Sequence, residues 1–407
     1  MNWPHRVVVT GCGVISPVGL DTATYWSSLK EGKSGIGSPT SIPAELLQKE
    51  VVAEIKDFDP AKHFSEREIS PLDRVSQFAI VAAREAVAES GISFDAGLSE
   101  RTAAIIGTGI GGATTIDDSY KRLYRENASR PYPLTIPKLM PNAPASQVSM
   151  HIGIRGPSFG VVSACSSATH AIGLAFQMLR SGIADAAVAG GAEACITLGT
   201  MKAWEALRVM APDTCRPFSK DRKGLVISEG AAILVLETLA GARARGATIL
   251  GEIVGFGMTA DAEDLTNPDE GGMARAIAGC LTDGGLTPDD VDYINAHGTG
   301  TLANDLTETK ALKTALGSGR AAKIPTSSTK SMVGHALGAG GALEFIAALM
   351  AIRDNVAPPT MGYLGPDPAC DLDYVPNEAR PMKIDVALSN SFAFGGLNAV
   401  LAAKRFN

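Results

Sequence analysis

The stretch Val162-Ser-Ala-Cys165-Ser-Ser-Ala-Thr-His170-Ala-Ile-Gly173 joins two different sequence patterns. A β-rich apolar run ends in small residues and a run rich in alanine and glycine follows, which predicts a strand that leads directly into a helix. The Cys165 thiol should then lie at a helix N-terminus, where unpaired backbone N–H groups and the helix dipole favour the thiolate. The stretch therefore predicts a nucleophilic cysteine.

His170 lies close to Cys165 along the chain, but a cysteine–histidine pair is not predicted. Five residues on a helix correspond to a rotation of about 500°, which leaves the two side chains about 140° apart around the helix axis. The two side chains should therefore point in different directions. We interpret His170 as a structural residue.

Strand-like and helix-like runs alternate along the rest of the chain. Short β-rich runs predict strands at Val7–Thr10, Ala103–Gly107, Ala186–Ala189, Ala232–Leu236, Val291–Asn295, Ile324–Ser327 and Val386–Ser389. Longer alanine-rich runs predict helices at Phe78–Ser90, Ala168–Arg180, Gly272–Asp283, Asp305–Leu316 and Ala342–Arg353. This alternation is typical of an α/β fold in which helices cover a mostly parallel sheet.

A faint internal repeat indicates that the chain is duplicated. Gly107-Thr-Gly109 ends a predicted strand in the first half, and Gly298-Thr-Gly300 follows one in the second. A Ser/Thr-rich turn and a helix of small residues come later in each half. We therefore predict two related halves, residues 1–250 and 251–407. No linker-like tract separates them, so they should pack as one body.

The composition excludes several classes of protein. The chain has 407 residues, 45% of them hydrophobic, and can bury a large core. Its formal net charge of -7 argues against a general nucleic-acid binder, because phosphate binding needs an excess of lysine and arginine. No apolar run is long enough to span a bilayer, and the first residues lack a secretory pattern, so we expect a cytoplasmic protein. The six cysteines have no Cys-x-x-Cys spacing and are interpreted as reduced thiols.

Two further segments carry histidines in positions suited to catalysis. Asn295-Ala-His297-Gly-Thr-Gly-Thr301 follows a predicted strand, and open α/β sheets bind ligands at the carboxyl ends of their strands. The segment Ser327–Glu344 is predicted to place a lysine, a histidine and a glutamate along one helix that is nearly bare of bulky side chains. Taken alone, each segment could equally serve packing.

Together, the three segments resemble the β-ketoacyl-acyl-carrier-protein synthases in the residues of each motif and in the order of the motifs. The resemblance is strongest to the elongating kind called synthase II. The resemblance extends to Val9–Gly19, Arg216–Arg222 and Asn390–Asn398 and covers essentially the whole chain. It implies a thiolase-like, duplicated α/β fold with five αβαβα layers, and a homodimer. It also implies a decarboxylative Claisen condensation in fatty acid chain elongation. In this reaction an acyl thioester and malonyl-acyl-carrier protein give 3-oxoacyl-acyl-carrier protein and carbon dioxide.

The resemblance assigns catalytic roles to four residues. Cys165 is implied to accept the acyl chain, while His297 and His335 hydrogen-bond the malonyl thioester carbonyl as carbon dioxide leaves. Lys330 matches the family lysine beside the site. This set separates the chain from relatives with the same fold. Thiolases use a second cysteine late in the chain, initiating synthases carry asparagine in place of His335, and non-catalytic chain-length factors lack the cysteine.

A second group of residues is implied to support the site. Glu344 matches the buried acidic partner of Lys330, and Thr299 and Thr301 match the threonines at the malonyl end. Phe394 matches the gate of the acyl tunnel, and its backbone N–H is implied to form the oxyanion hole with that of the nucleophile. The resemblance implies no metal and no organic cofactor. Two glycine-rich runs look like dinucleotide-binding motifs but lack the acidic residue in strand context that such a site needs.

The sequence departs from the family in the segment Ser65–Arg74. The matching helix of ordinary elongating synthases is rich in lysine and arginine that bind the acidic carrier protein, and here much of that charge is replaced. Either other basic residues, such as Lys202 and Arg208, take over, or the chain serves a dedicated carrier protein, as in nodulation-type, very-long-chain or polyketide synthases. A catalytically weak partner subunit and a thiolytic or hydrolytic enzyme remain as further alternatives.

Overall fold

The structure is a computed structural model that describes residues 4–407, so the first three residues of the predicted first half lie outside the described residues. Within this range the strands are β1 (Val7–Ile15), β2 (Thr102–Gly107), β3 (Ser158–Val161), β4 (Ala186–Glu193), β5 (Gly230–Thr238), β6 (Gly251–Ala260), β7 (Tyr293–Asn295), β8 (Thr326–Ser327), β9 (Val356–Ala357), β10 (Arg380–Pro381), β11 (Val386–Ala393) and β12 (Leu397–Lys404). The helices are α1 (Thr22–Lys30), α2 (Glu66–Ile69), α3 (Arg74–Ser90), α4 (Ala96–Glu100), α5 (Ala113–Tyr124), α6 (Thr135–Leu139), α7 (Ala143–Ile152), α8 (Ser167–Arg180), α9 (Leu198–Ala206), α10 (Leu239–Ala244), α11 (Glu270–Gly284), α12 (Leu302–Leu316), α13 (Ser318–Ala321), α14 (Lys330–Val333) and α15 (Gly340–Asp354).

Ten of these strands form one sheet whose order reveals the duplication. The order is β3-β2-β4-β5-β1-β6-β12-β11-β7-β8, in which β1, β5, β4, β2 and β3 are mirrored by β6, β12, β11, β7 and β8. Corresponding pairs also run in the same relative direction, antiparallel near the centre and parallel towards each edge. The two sets meet where β1 pairs with β6 through Val7–Val9 and Gly251–Ile253. The predicted duplication is confirmed.

The prediction of a mostly parallel sheet is wrong. In the part of the chain that the structure describes, five of the neighbouring strand pairs in this sheet are antiparallel. Four are parallel. The reason is that β5 and β12 lie antiparallel to both of their neighbours, between the central strand and the parallel strands of each set. Alternating strand and helix patterns do not reveal this insertion, and neither β6 nor β12 is among the predicted strands.

The hydrophobic core separates the fold into five layers. Helices α8 and α15 form the central layer, where Ile172 and Leu349 are buried against the inner faces of both strand sets. Helices α3 and α7 cover the outer face of the first set, with Phe78 in their core. Helices α11 and α12 cover the outer face of the second set, with Ile277 in theirs. The predicted αβαβα arrangement is confirmed.

The central layer depends on small residues where α15 approaches α8. A Cβ atom on Gly341 would lie 2.0 Å from Oγ1 of Thr169 and 2.8 Å from Oγ of Ser391, so a larger residue would not fit. The hydroxyl groups of Thr169 and Ser391 hydrogen-bond to each other at 2.7 Å and connect α8 to β11. Close packing of this kind joins the two central helices to β11 of the second strand set.

No helix within residues 4–407 is long and apolar enough to cross a membrane. The division of the chain between residues 250 and 251 stays a prediction. Its support is that β6 begins at Gly251 and is the first strand of the second set along the chain.

Candidate active site

One cavity brings together residues from all three sequence motifs. Its volume is about 250 Å³. The predicted site residues that line it are Cys165, His297, Thr299, Thr301, His335 and Phe394. Its other walls are mainly apolar and include Trp204, Leu207, Val209, Leu225 and Phe392. Lys330 and Glu344 are buried in the core. Lys330 contacts His297, and Glu344 forms an ion pair with Lys330.

Cys165 lies at the start of the central helix α8, as predicted. It occupies a single 3-10 turn, Ala164–Ser166, which leads into α8 at Ser167. Ala164 has a φ of 50°, a left-handed conformation that costs energy for a residue with a side chain. Strain of this kind is common where a functional side chain must take one position.

The environment of the thiol differs from the sequence-based expectation of a thiolate. Burial raises the pKa of Cys165 to about 11, whereas the Lys330 ammonium and the Phe394 backbone N–H lower it less strongly. Desolvation therefore outweighs the favourable position before α8. At neutral pH the resting residue is a thiol, and its proton must be removed before the sulfur can attack.

Phe394 begins a tight turn that closes one side of the cavity. The turn continues through Gly395 and Gly396, whose φ angles of 79° and 67° suit glycine. It connects β11 to β12 and brings the backbone N–H of Phe394 to the sulfur of Cys165. The same residue therefore contributes a ring and a hydrogen-bond donor to the site.

His297 and His335 form a pair within the cavity. Their ring centroids are 5.4 Å apart, and the ring planes are nearly perpendicular at 83°. His297 follows β7 at the carboxyl end of the strand, where ligands are expected. Burial and the nearby Lys330 ammonium lower the pKa of both imidazoles well below the ordinary value, so both are neutral.

Lys330 fixes the position of His297 from the core side. Its Nζ lies 2.6 Å from the carbonyl oxygen of His297 and 3.3 Å from Nδ1 of the ring. It also forms a buried ion pair with Glu344. Burial raises the pKa of Glu344, and the Lys330 ammonium opposes that shift. A buried charge needs such a partner, so the pair keeps a cation beside His297.

Thr299 and Thr301 line the cavity close to His297. Their hydroxyl groups lie 2.9 Å apart, and Thr301 also accepts a hydrogen bond from the backbone N–H of Asn304 at the start of α12. Helix α12 therefore holds this loop in place.

The prediction of one helix through the third motif is wrong. Lys330 begins α14, His335 lies in the connection after Gly334, and Glu344 lies in α15. Gly334 has a φ of 70°, and the backbone N–H of His335 then bonds the carbonyl of Val226 at 2.7 Å. On one continuous helix, the lysine and the histidine would diverge by about 140°. The break lets both side chains reach the same site.

One histidine interpreted from the sequence lies outside the cavity, and one acid that supports the site was missed. His170 contacts Oγ of Ser163 at 2.8 Å and is not among the cavity-lining residues, in line with the structural interpretation. Sequence analysis missed Glu308, which accepts the backbone N–H groups of His297 and Gly298 at 2.8 Å each. The only signal for it is an acid within an otherwise ordinary predicted helix.

Sequence analysis also missed Glu193. Its buried carboxylate accepts backbone N–H groups of Gly109 at 2.6 Å and Gly338 at 3.0 Å. Burial raises its pKa to about 7. It joins the segment after β2 to the segment after His335, and His335 lines the cavity.

Comparisons with known proteins agree with this arrangement. Residues 5–242 match the family model described as "Beta-ketoacyl synthase, N-terminal domain", and residues 250–364 match "Beta-ketoacyl synthase, C-terminal domain". The chain is 50% identical over 401 residues to Nodulation protein E of Rhizobium sp. (strain N33), covering 98% of this chain and 99% of the relative. It is 43% identical over 415 residues to 3-oxoacyl-(acyl-carrier-protein) synthase 2 of Staphylococcus aureus (strain COL), covering 100% of both.

Solved structures give the same result for the fold. The ishigamide ketosynthase/chain length factor aligns with a TM-score of 0.94 at 35% identity, covering 99% of this chain and 100% of that chain. A type II polyketide ketosynthase in complex with its acyl-carrier protein aligns with a TM-score of 0.90 at 31% identity, with the same coverage. The predicted thiolase-like fold is confirmed. The chain belongs to the β-ketoacyl synthase family, whose members are condensing enzymes of the acyltransferase class.

Proposed function

We propose that this enzyme joins an acyl group, held on Cys165, to the two-carbon unit of malonyl-acyl-carrier protein with loss of carbon dioxide. The products are 3-oxoacyl-acyl-carrier protein and free enzyme. The observation that carries the proposal is the convergence of one thiol and two neutral imidazoles, those of His297 and His335, on one apolar-walled cavity.

In the first half-reaction, the sulfur of Cys165 attacks the acyl thioester. The neutral imidazole of His335 accepts the thiol proton, because the unprotonated nitrogen of His297 is already occupied by the Lys330 ammonium. The backbone N–H groups of Cys165 and Phe394 stabilise the tetrahedral oxyanion, and removing one such donor commonly costs about 10²–10³ in rate. The thiolate of the carrier leaves, takes up the proton, and the acyl group remains on the enzyme.

In the second half-reaction, the histidine pair stabilises the enolate of the malonyl thioester. The Lys330 ammonium donates to Nδ1 of His297, which assigns the single ring proton to Nε2, where it can reach the thioester oxygen. His335 supplies the second donor. The bond to the carboxylate breaks, its electrons form the enolate, and carbon dioxide departs. The enolate carbon then attacks the acyl carbonyl, and the Cys165 thiolate leaves and takes up a proton from solvent to regenerate the thiol.

The supporting residues orient the catalytic groups and the substrate, and they do not take part in making or breaking bonds. Glu344 keeps the Lys330 charge in place, and Thr299 and Thr301 offer hydroxyl groups to the malonyl arm. Phe394 lines the cavity, and we assign it the role of closing the acyl side. None of these reaction steps requires a metal or an organic cofactor, because the substrate supplies carbon dioxide as the leaving group.

The direct test is condensation by the purified enzyme. Acyl-acyl-carrier protein over a series of chain lengths is mixed with [¹⁴C]malonyl-acyl-carrier protein, and both carbon dioxide and 3-oxoacyl product are measured. Equal amounts of the two products support the proposal. Free fatty acid without 3-oxoacyl product would show a hydrolase instead.

The histidine environment predicts an unusual pH profile. Because burial lowers the pKa of His297 and His335 below the ordinary value of 6.5, both stay neutral as the pH falls through 6.5. Carbon dioxide release by the preformed acyl-enzyme should therefore stay constant from about pH 7.5 to about pH 6, where an exposed histidine would already be mostly protonated. An acid limb with an apparent pKa near 6.5 would contradict the assignment.

A dedicated carrier protein is the second candidate, and α2 favours it. The helix begins with a capping box in which Ser65 and Glu68 bond each other, and Glu66 adds an exposed acid beside Arg67. This surface is poorly suited to an acidic carrier. The relative called Nodulation protein E is a specialised member by name. Condensation with a dedicated carrier but not with a general acyl-carrier protein would select this candidate.

We further propose a homodimer. Among residues 4–407, strand β3 lies at the edge of the sheet with no strand paired on its outer side. Apolar residues are exposed near it, with Phe159 40%, Val162 55%, Ile136 61% and Met150 65% accessible. Exposed strand edges with apolar neighbours are suited to pairing with a second chain. Sedimentation should give twice the chain mass of 42.1 kDa, and a monomer at micromolar concentration would contradict this.

A cytoplasmic location stays a prediction.

A further inference from the structure

We propose that Trp204 is a positioning residue that holds the Phe394 ring in its resting place and thereby decides how readily long acyl chains reach Cys165. The proposal rests on the proposed function of the site. It adds a residue that neither the sequence motifs nor the mechanism above uses.

The two rings form a stacked pair inside the cavity wall. Their centroids are 6.0 Å apart and their planes differ by 24°. Both rings line the cavity that contains Cys165. Aromatic pairs at this separation attract each other beyond the effect of burial alone. The position of the Phe394 ring is therefore coupled to Trp204.

The backbone next to Phe394 is already fixed from the opposite side. The N–H of Gly395 donates to the carbonyl of Leu265 at 2.7 Å, and the N–H of Asp261 donates to the carbonyl of Gly396 at 2.9 Å. A Cβ atom on Gly396 would lie 2.6 Å from Cβ of Asp261, so this contact is close. Since the turn is held by these bonds, the orientation of the ring depends on what it packs against.

Helix α9, which carries Trp204, is held in place by hydrogen bonds. Thr197 caps the helix by accepting the backbone N–H of Thr200. Glu205 accepts the backbone N–H groups of Gln48 and Lys49 and thereby fastens α9 to the segment before β2. Trp204 is thus held in place, and the Phe394 side chain is the part of the pair that can rotate.

The Phe394 ring lies next to the nucleophile. The ring of Phe394 contacts Trp204, whereas the N–H of the same residue contacts the Cys165 sulfur. A long acyl chain on Cys165 needs room that the ring occupies, whereas a short chain does not. Loss of the stack should therefore ease acylation in a way that depends on chain length.

The first test compares Trp204→Leu, which keeps an apolar side chain, with Trp204→Phe, which keeps a ring. Trp204→Leu should raise the burst rate of Cys165 acylation by palmitoyl-coenzyme A about 2- to 12-fold, the range expected for loss of one aromatic pair. The rate with hexanoyl-coenzyme A should stay within a factor of about two, and Trp204→Phe should restore most of the wild-type ratio. Equal changes for both chain lengths would indicate a general structural defect and overturn the proposal.

The second test uses the tryptophan as its own probe. The chain has three tryptophans, so Trp3→Phe with Trp26→Phe leaves Trp204 as the only emitter. Acylation by palmitoyl-coenzyme A should change its emission at the rate at which acyl-enzyme appears by mass spectrometry. Acyl-enzyme without any change in emission would overturn the positioning role but leave the proposed function intact. Absence of acyl-enzyme with palmitoyl-coenzyme A and with every acyl-carrier protein tested would overturn the proposed function itself.

Discussion

Cys165→Ala should eliminate the acyl-enzyme and lower the condensation rate at least about 10⁴-fold, the usual scale for loss of a covalent nucleophile. The sulfur is the only group in the proposed mechanism that carries the acyl chain between the two carrier proteins. Intact-mass analysis after incubation with acyl-acyl-carrier protein measures the acyl-enzyme, and the [¹⁴C]malonyl assay measures product. The fold should survive, because the change removes one buried sulfur atom.

Cys195→Ala is the matched control for this experiment. Cys195 lies in the same apolar cluster as Cys165 and is fully buried, but it is not among the cavity-lining residues. It should keep the acyl-enzyme and most of the condensation rate. Acyl label on the Cys165→Ala enzyme would mean that another residue is the nucleophile.

The double substitution His297→Ala with His335→Ala should lower carbon dioxide release about 10⁴-fold, because two hydrogen bonds to the developing enolate are lost and each is worth about 10²–10³. Acylation of Cys165 should fall less. It should also recover as the pH rises, because hydroxide can remove a thiol proton whose pKa burial has raised to about 11. Decarboxylation should show no such recovery.

His170→Ala serves as the control for the histidine experiment. Its ring bonds Ser163 and packs at the edge of Phe256, away from the cavity lining. Carbon dioxide release should stay within a factor of about three of wild type, as expected for a residue with no contact to the reacting atoms. Recovery of decarboxylation at high pH in the double variant would show that the histidines act only as bases for the thiol.

Several features of the fold were accessible to sequence reasoning because they are local. The position of Cys165 before a helix follows from a change in hydrophobic period within about ten residues. The duplication follows from repeated glycine motifs. The direction of β5 and β12 was not accessible, because it depends on which strands pair across the sheet and not on any local pattern.

The candidate site shows the same division. Residue types and motif order predicted which side chains to consider, and the structure places six of them around one cavity. The buried acids Glu308 and Glu193 were missed because they accept hydrogen bonds from backbone N–H groups of other segments. Trp204 was missed because a tryptophan on a short helix carries no signal until its ring is found against Phe394.

The sequence by itself determined the family, the duplicated α/β architecture and the identity of the candidate nucleophile and histidines, since these depend on residue types and on short-range order. Only the tertiary structure decided the protonation of the site. The pKa of Cys165 is raised, and those of His297 and His335 are lowered, because residues far apart in the chain exclude water from one cavity. Desolvation is a property of the packed environment, and no segment taken alone contains it.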